Sequence, residues 1–139
     1  MILNSNDNVQ ADWNVSDANS DAYIKNKPAI GTYIAPSFTA TSIPNSTETT
    51  VAQMTVPAGT WVITASLQWV NSFTQMYLAQ LIGASPEVIV RNNGTNGGGT
   101  SIATIEQITS SKTIKLNIWQ GSGSTQSINR YSLRAVRIA

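Results

Sequence analysis

Between residues 61 and 69 the chain alternates. Trp61, Ile63, Ala65, Leu67 and Trp69 are apolar, and Val62, Thr64, Ser66 and Gln68 are interleaved with them. A period of two places every second side chain on one side of an extended backbone, so this stretch reads as a strand with one buried face. The two tryptophans share that inward face with Ile63 and Leu67 and are expected in the core. Ile114, Leu116 and Ile118 alternate with Thr113, Lys115 and Asn117 in the same way. Further strands are expected over Thr32–Thr39, Thr49–Val56, Gln75–Leu81, Glu87–Arg91, Ser101–Ile108 and Arg130–Ile138. Turn-forming clusters separate them: Pro44-Asn45-Ser46, Pro57-Ala58-Gly59, Gly83-Ala84-Ser85-Pro86, Asn93 to Gly97 and Gly121-Ser122-Gly123. After residue 30 there is no helical stripe. About eight short strands divided by turns predict an all-β sandwich, and eight strands favour a jelly roll.

At 139 residues the chain fits one domain with an N-terminal extension. Charged residues make up 11% of it, against about 25% in ordinary domains. Serine, threonine, asparagine and glutamine supply the remaining polarity. With a net charge of +1 there is no field to recruit nucleic acid or an anionic membrane surface. No apolar run approaches the roughly 18 residues of a membrane span. Cysteine is absent, which excludes a disulfide framework and a thiolate metal site. Histidine is absent as well, which removes the commonest general base and the commonest metal ligand. A small β domain without disulfides must find stability elsewhere, and burial between subunits is the usual route.

Residues 1–30 differ in character from the rest. Asp7, Asp12, Asp17 and Asp21 lie here, and the apolar residues are scattered. Asp17 or Ser20 could cap a helical turn through Tyr23 and Ile24, which Pro28 would stop. The segment reads as an extended anchoring arm (1–30) ahead of a folded knob (31–139). Trp13, Tyr23 and Ile24 are its large apolar groups between residues 10 and 25, too widely spaced for a core of their own. They are expected to pack on another protein or on neighbouring arms. The start, Met1-Ile2-Leu3-Asn4, has no basic region and no long apolar stretch, so synthesis in the cytoplasm without a signal peptide is expected.

The wording Gln10-Ala11-Asp12-Trp13-Asn14, continuing through Ser20-Asp21-Ala22-Tyr23-Ile24-Lys25-Asn26-Lys27-Pro28, resembles a segment that recurs in phage tail-fibre and other virion-fibre proteins. Val56-Pro57-Ala58-Gly59-Thr60-Trp61-Val62-Ile63-Thr64-Ala65-Ser66 is similar to a strand of the C1q/TNF-like jelly rolls. The close, Tyr131 to Ala139, is similar to the last strand of their bacterial and phage members. These resemblances imply a compact homotrimer acting as a structural virion fibre on a head or a tail. They also imply attachment to capsid or tail proteins through the arm and a virion location. The alternative is a stand-alone carbohydrate-binding adhesin module.

No candidate for chemistry rises above its bland explanation. The Gly-rich run Asn92 to Thr100 lacks the Lys-Ser/Thr pair and following helix of a phosphate loop, and reads as an interstrand loop. Glu48, Glu87 and Glu106 are each alone in sequence, unlike the facing pair of a glycosidase, and read as surface groups. The spacing of Asp12, Asp17 and Asp21 fits no calcium loop. No enzyme activity, cofactor or metal is expected. Arg130, Arg134 and Arg137 are read as intersubunit partners of the glutamates. Trp119, just before Gln120-Gly121-Ser122-Gly123, and Tyr77, among Gln75, Met76 and Gln80, stand beside amide-rich segments. Such rings can stack on sugar C–H faces while amides bond the hydroxyls, so both are candidates for contact with a host-surface glycan. The competing and plainer explanation is an intersubunit contact or a partly buried strand end.

Overall fold

The computed structural model describes residues 12, 14–20, 30–71, 75–84, 88–93 and 98–139, with the backbone alone for 88–93. Among these the regular structure is entirely β. The strands are β1 (Tyr33–Ile34), β2 (Ser42–Ile43), β3 (Thr49–Val56), β4 (Gly59–Trp69), β5 (Met76–Ile82), β6 (Val88–Asn93), β7 (Gly99–Ile108), β8 (Lys112–Gln120) and β9 (Gln126–Arg137). They form two antiparallel sheets. One runs β1-β9-β4-β7, with β2 also on β9, and the other runs β3-β8-β5-β6. This is an all-β sandwich.

β4 lies at the centre of the first sheet, paired with β7 on one side and β9 on the other. Its expected inward residues, Trp61, Ile63, Ala65, Leu67 and Trp69, are all buried. Val51, Met54, Val56, Ala79, Leu81, Ile114, Leu116 and Ile118 meet them from the second sheet. Each buried tryptophan removes about 150–250 Å² from water, which at about 25 cal/mol per Å² is on the order of 4–6 kcal/mol. The Trp61 Nε1–H donates to the Pro57 carbonyl at 2.9 Å, so its polar atom is satisfied inside the core. Trp69 and Tyr77 meet edge to face with ring centroids 5.4 Å apart, which ties the two sheets together at the other end.

The expected strand over Thr32–Thr39 is only two residues long in the structure. Pro36 has no N–H to offer a ladder, and the chain then leaves the first sheet. The Thr39 N–H and hydroxyl both donate to the Val51 carbonyl, at 2.8 and 3.3 Å, and so pull the segment toward β3. It returns to β9 as β2, a strand that the sequence reading did not separate from the loop. Within residues 14–20, Asp17 holds a turn, accepting from the backbone of Asn19 at 2.9 Å through its side chain and from Ser20 at 3.1 Å through its carbonyl. Asp12 does the same for Asn14 and Val15. Tyr23 and Ile24, where a helical turn was expected, lie outside the described residues.

Trp61→Ala and Trp69→Ala should each destabilise the fold by about 3–5 kcal/mol, because each empties a ring-sized volume in a packed core. Urea unfolding followed by circular dichroism measures this. Losses below about 1 kcal/mol for both variants would mean that the other face of β4 is the buried one.

Candidate functional site

Trp119 and Tyr77 do not form one surface. The β5–β8 register sets Leu78 opposite Trp119 and Tyr77 opposite Gln120, which puts the two rings on opposite faces of the second sheet. Tyr77 points inward and has no exposed surface, and its hydroxyl donates to the Gly99 carbonyl at 3.3 Å. Its ring faces are covered by the core, which removes Tyr77 as a glycan platform. A one-residue difference in position decides this, because side chains alternate across a strand. Trp119 is half-buried on the outer side, and a Cβ on Gly121 would come within 2.8 Å of its indole. On the same side Asn117 donates to Glu48 and accepts from the Thr50 hydroxyl at 2.8 Å. Both ends of the Asn117 amide are therefore used within the chain, tying the loop before β3 to β8. Trp13, Tyr23 and Ile24, the expected anchoring residues, lie outside the described residues, as does Glu87.

Glu106 is not a surface group. It lies on the inward face of β7, is 2% exposed, and accepts from the Lys112 ammonium at 3.2 Å. Trp61 is opposite both Glu106 and Arg137 in its two ladders, so the three form one inward row at the end of the sandwich. The Arg137 guanidinium lies 6.0 Å from the centroid of the Trp61 ring, a cation–π contact. Glu106 is thus paired with Lys112 within the chain at the rim of the sandwich and is not available at the surface for Arg130, Arg134 or Arg137. Glu48 sits outside the second sheet and Glu106 between the two, so they do not face each other across a cleft. Among the described residues no group of three acidic, histidine or cysteine side chains could hold a metal ion.

The outer face of the first sheet carries an apolar row. Tyr33 is opposite Val136, Val136 is opposite Val62, and Val62 is opposite Ile105, so the row crosses four strands. Tyr33 is 69% exposed, Ile105 65% and Val136 39%. The next row is Arg134-Thr64-Ala103, and the one after it, Ser132-Ser66-Ser101, is all serine. The hydroxyls of Ser66 and Ser132 lie 2.8 Å apart. No acidic side chain stands in these three rows.

A groove of about 410 Å³ runs along the outer edge of β9, lined by Pro36, Ser37, Phe38, Tyr131, Ser132 and Arg134 among others. Its origin is the departure of the chain from β9 after Ile34. A β-bulge shapes its wall. Ser132 is opposite Ser66 and Asn129 opposite Gln68, so Arg130 and Tyr131 together face Leu67 alone. Arg130 takes the left-handed conformation, with φ of 44°, and the bulge re-aims Tyr131 toward the edge. There its ring stacks on Phe38 with centroids 4.2 Å apart and planes tilted by 32°. The sequence singled out neither ring. Pro36 was the one signal that the strand around Phe38 would break, and nothing local announced the bulge.

A scan against protein-family models finds no match for this chain, and a search of curated proteins finds none.

At the turn between β8 and β9, Gln120 is fully buried and its amide is fully used. It donates to the carbonyls of Ile43 at 3.0 Å and Ser124 at 2.8 Å, and accepts from the Ser122 N–H at 2.7 Å. Gln120→Glu should destabilise by about 3–5 kcal/mol at neutral pH, since it sets a buried carboxylate against two carbonyl oxygens. Burial and those carbonyls raise the pKa of the introduced carboxyl in the folded state. The deficit is therefore largest at high pH and shrinks as pH falls through the folded-state value, where protonation restores a donor. Urea melts at pH 7 and pH 4.5 measure both effects, and a pH-independent deficit would contradict them.

Proposed function

We propose that this chain is a non-enzymatic structural protein of a phage virion, a homotrimeric head or tail fibre with a jelly-roll knob of C1q/TNF type. Residues 31–139 form the knob in this reading, and residues 1–30 the arm that anchors it to capsid or tail proteins through Trp13, Tyr23 and Ile24. The strand order supports the jelly roll. The sheets β1-β9-β4-β7 and β3-β8-β5-β6 follow the order expected of two nested Greek keys, in which late strands return beside early ones. The wording of the leader supports the virion role.

The observation that carries the trimer is the row Tyr33-Val136-Val62-Ile105. Tyr33, Ile105 and Val136 are large apolar side chains left exposed, and with the half-buried Val62 they line up across four strands of the first sheet. Apolar groups aligned across several strands favour burial against the same face of another copy, and a Cys-free domain gains stability that way. The knob contacts host-surface glycans in this reading. The edge groove, with its stacked aromatic pair, also favours the second reading, a carbohydrate-binding adhesin outside any virion. Co-purification with particles separates the two.

Light scattering of the full chain should give three times the chain mass at micromolar concentration. The double change Val62→Lys and Ile105→Lys should shift it to a folded monomer. A wild-type monomer, or a charged variant that stays trimeric, would refute the interface. Deleting residues 1–28 should leave a folded trimer that no longer incorporates into particles. Incorporation at wild-type occupancy would place the anchor in the knob.

A further inference from the structure

We propose that the edge groove on β9 is the glycan site, and that it takes a sugar bearing a carboxylate. The inference rests on the glycan-contact reading above and names its place and its ligand class. The groove has the size of a small-ligand site, about 410 Å³ against the roughly 300–1,000 Å³ that such sites occupy. It also brings together three kinds of group that an acidic sugar needs.

The first is an aromatic platform. Tyr131 is 40% exposed, and its ring is braced by Phe38 at 4.2 Å, so it is held in place before any ligand arrives. A sugar ring can lay its C–H face there without ordering the side chain first, which is the main saving in preorganised sites. The second is a set of neutral hydrogen-bonding groups. Ser37 is exposed and Ser132 half-buried at the wall. Along the same wall, β9 pairs on this side only with β1 at Ala135 and Val136 and with β2 at Gln126 and Ser127, among the described residues. The backbone between Asn129 and Arg134 therefore has no strand partner there. The third is a cation. Arg134 lines the groove, is exposed, and enters no ion pair among the described residues. A guanidinium so placed matches the two oxygens of a carboxylate.

The alternative occupant, a peptide adding a strand to β9, fits less well. β1 and β2 occupy the same edge on either side of the gap, so a strand longer than the gap would run into both. A single ring needs no such length. Arg134 then accounts for selectivity. Neutral sugars would keep the stacking and the hydroxyl contacts but leave the guanidinium without an anion.

The test uses the full chain in its assembled state, with four free probes: N-acetylneuraminate, glucuronate, glucose and an acidic tripeptide. Titrations followed by chemical-shift changes at Tyr131 and Arg134 are expected to saturate with at least one of the two acidic sugars. Glucose is expected to bind at least tenfold more weakly. The acidic affinity should fall as salt rises, because it rests partly on a charge pair. Arg134→Gln should lower acidic-sugar affinity about tenfold and leave glucose affinity unchanged, and Tyr131→Ala should lower both. Melting curves that match the wild type establish that each variant is folded. If Tyr131→Ala fails to fold, Tyr131→Leu, which keeps bulk and loses the ring, takes its place. The two acidic probes separate a sialic-type ligand from a uronic one. Equal affinity for glucose and both acids, no shift at Tyr131, or binding of the tripeptide alone would overturn the proposal. Glycan binding that survives all of these changes would overturn the groove yet leave the glycan-contact reading standing. Absence of any glycan binding by an intact trimer would count against both.

Discussion

The burial of one face of β4 is the constraint on which the other features rest. This strand is central in its sheet, and its inward side chains run from Trp61 at one rim to Trp69 at the other. Because side chains alternate with a period of two, fixing these rings inside fixes Val62, Thr64, Ser66 and Gln68 outside. The partners follow from the same choice. Ile102 and Leu133 lie opposite Ala65 on the buried face, while Ile105 and Val136 lie opposite Val62 on the open one. A slip of one residue would bury hydroxyls and expose tryptophans, so the register has a large energetic margin.

Polarity without charge shapes what remains. The chain anchors its loops with amides and hydroxyls: Gln120 holds the carbonyls of Ile43 and Ser124, and Asn117 joins Glu48 to Thr50. The Gln120 bonds join neutral groups only and are insensitive to salt and to pH across the ordinary range, unlike exposed ion pairs. The charges that do occur hold particular positions. Glu106, Lys112 and Arg137 close the rim around Trp61, and Arg134 lines the β9 groove.

Two irregularities in the first sheet make that groove. The segment from Ala35 to Phe38 leaves the ladder because Pro36 cannot donate and Thr39 is bound to Val51. The bulge at Arg130 then turns Tyr131 toward the gap. Sheet edges with open backbone invite unwanted pairing. Here the flanking strands shorten the open stretch, and the Phe38 ring, stacked on Tyr131, covers part of it.

The sequence alone determined the all-β class, the long strands and the inward face of β4, because alternation and turn chemistry are local and strong. Thr49–Val56 was legible to the residue, and β4, β5, β7 and β8 to within a few. The sequence alone also excluded thiolate and imidazole chemistry, since neither residue type is present. Tertiary structure decided which aromatic residues are available. Tyr77 and Trp119 look alike in sequence, yet cross-strand register buries one and leaves the other on the outer side. Phe38 and Tyr131 are 93 positions apart and meet only because a proline and a bulge bend two separated strands toward each other. Glu106 reads as a surface carboxylate until the fold brings Lys112 and the rim of Trp61 to it. Lys112 is close to Glu106 in sequence, but Trp61, like the partners of Tyr77, Trp119, Phe38 and Tyr131, comes from a distant part of the chain, and local pattern carries no information about such contacts.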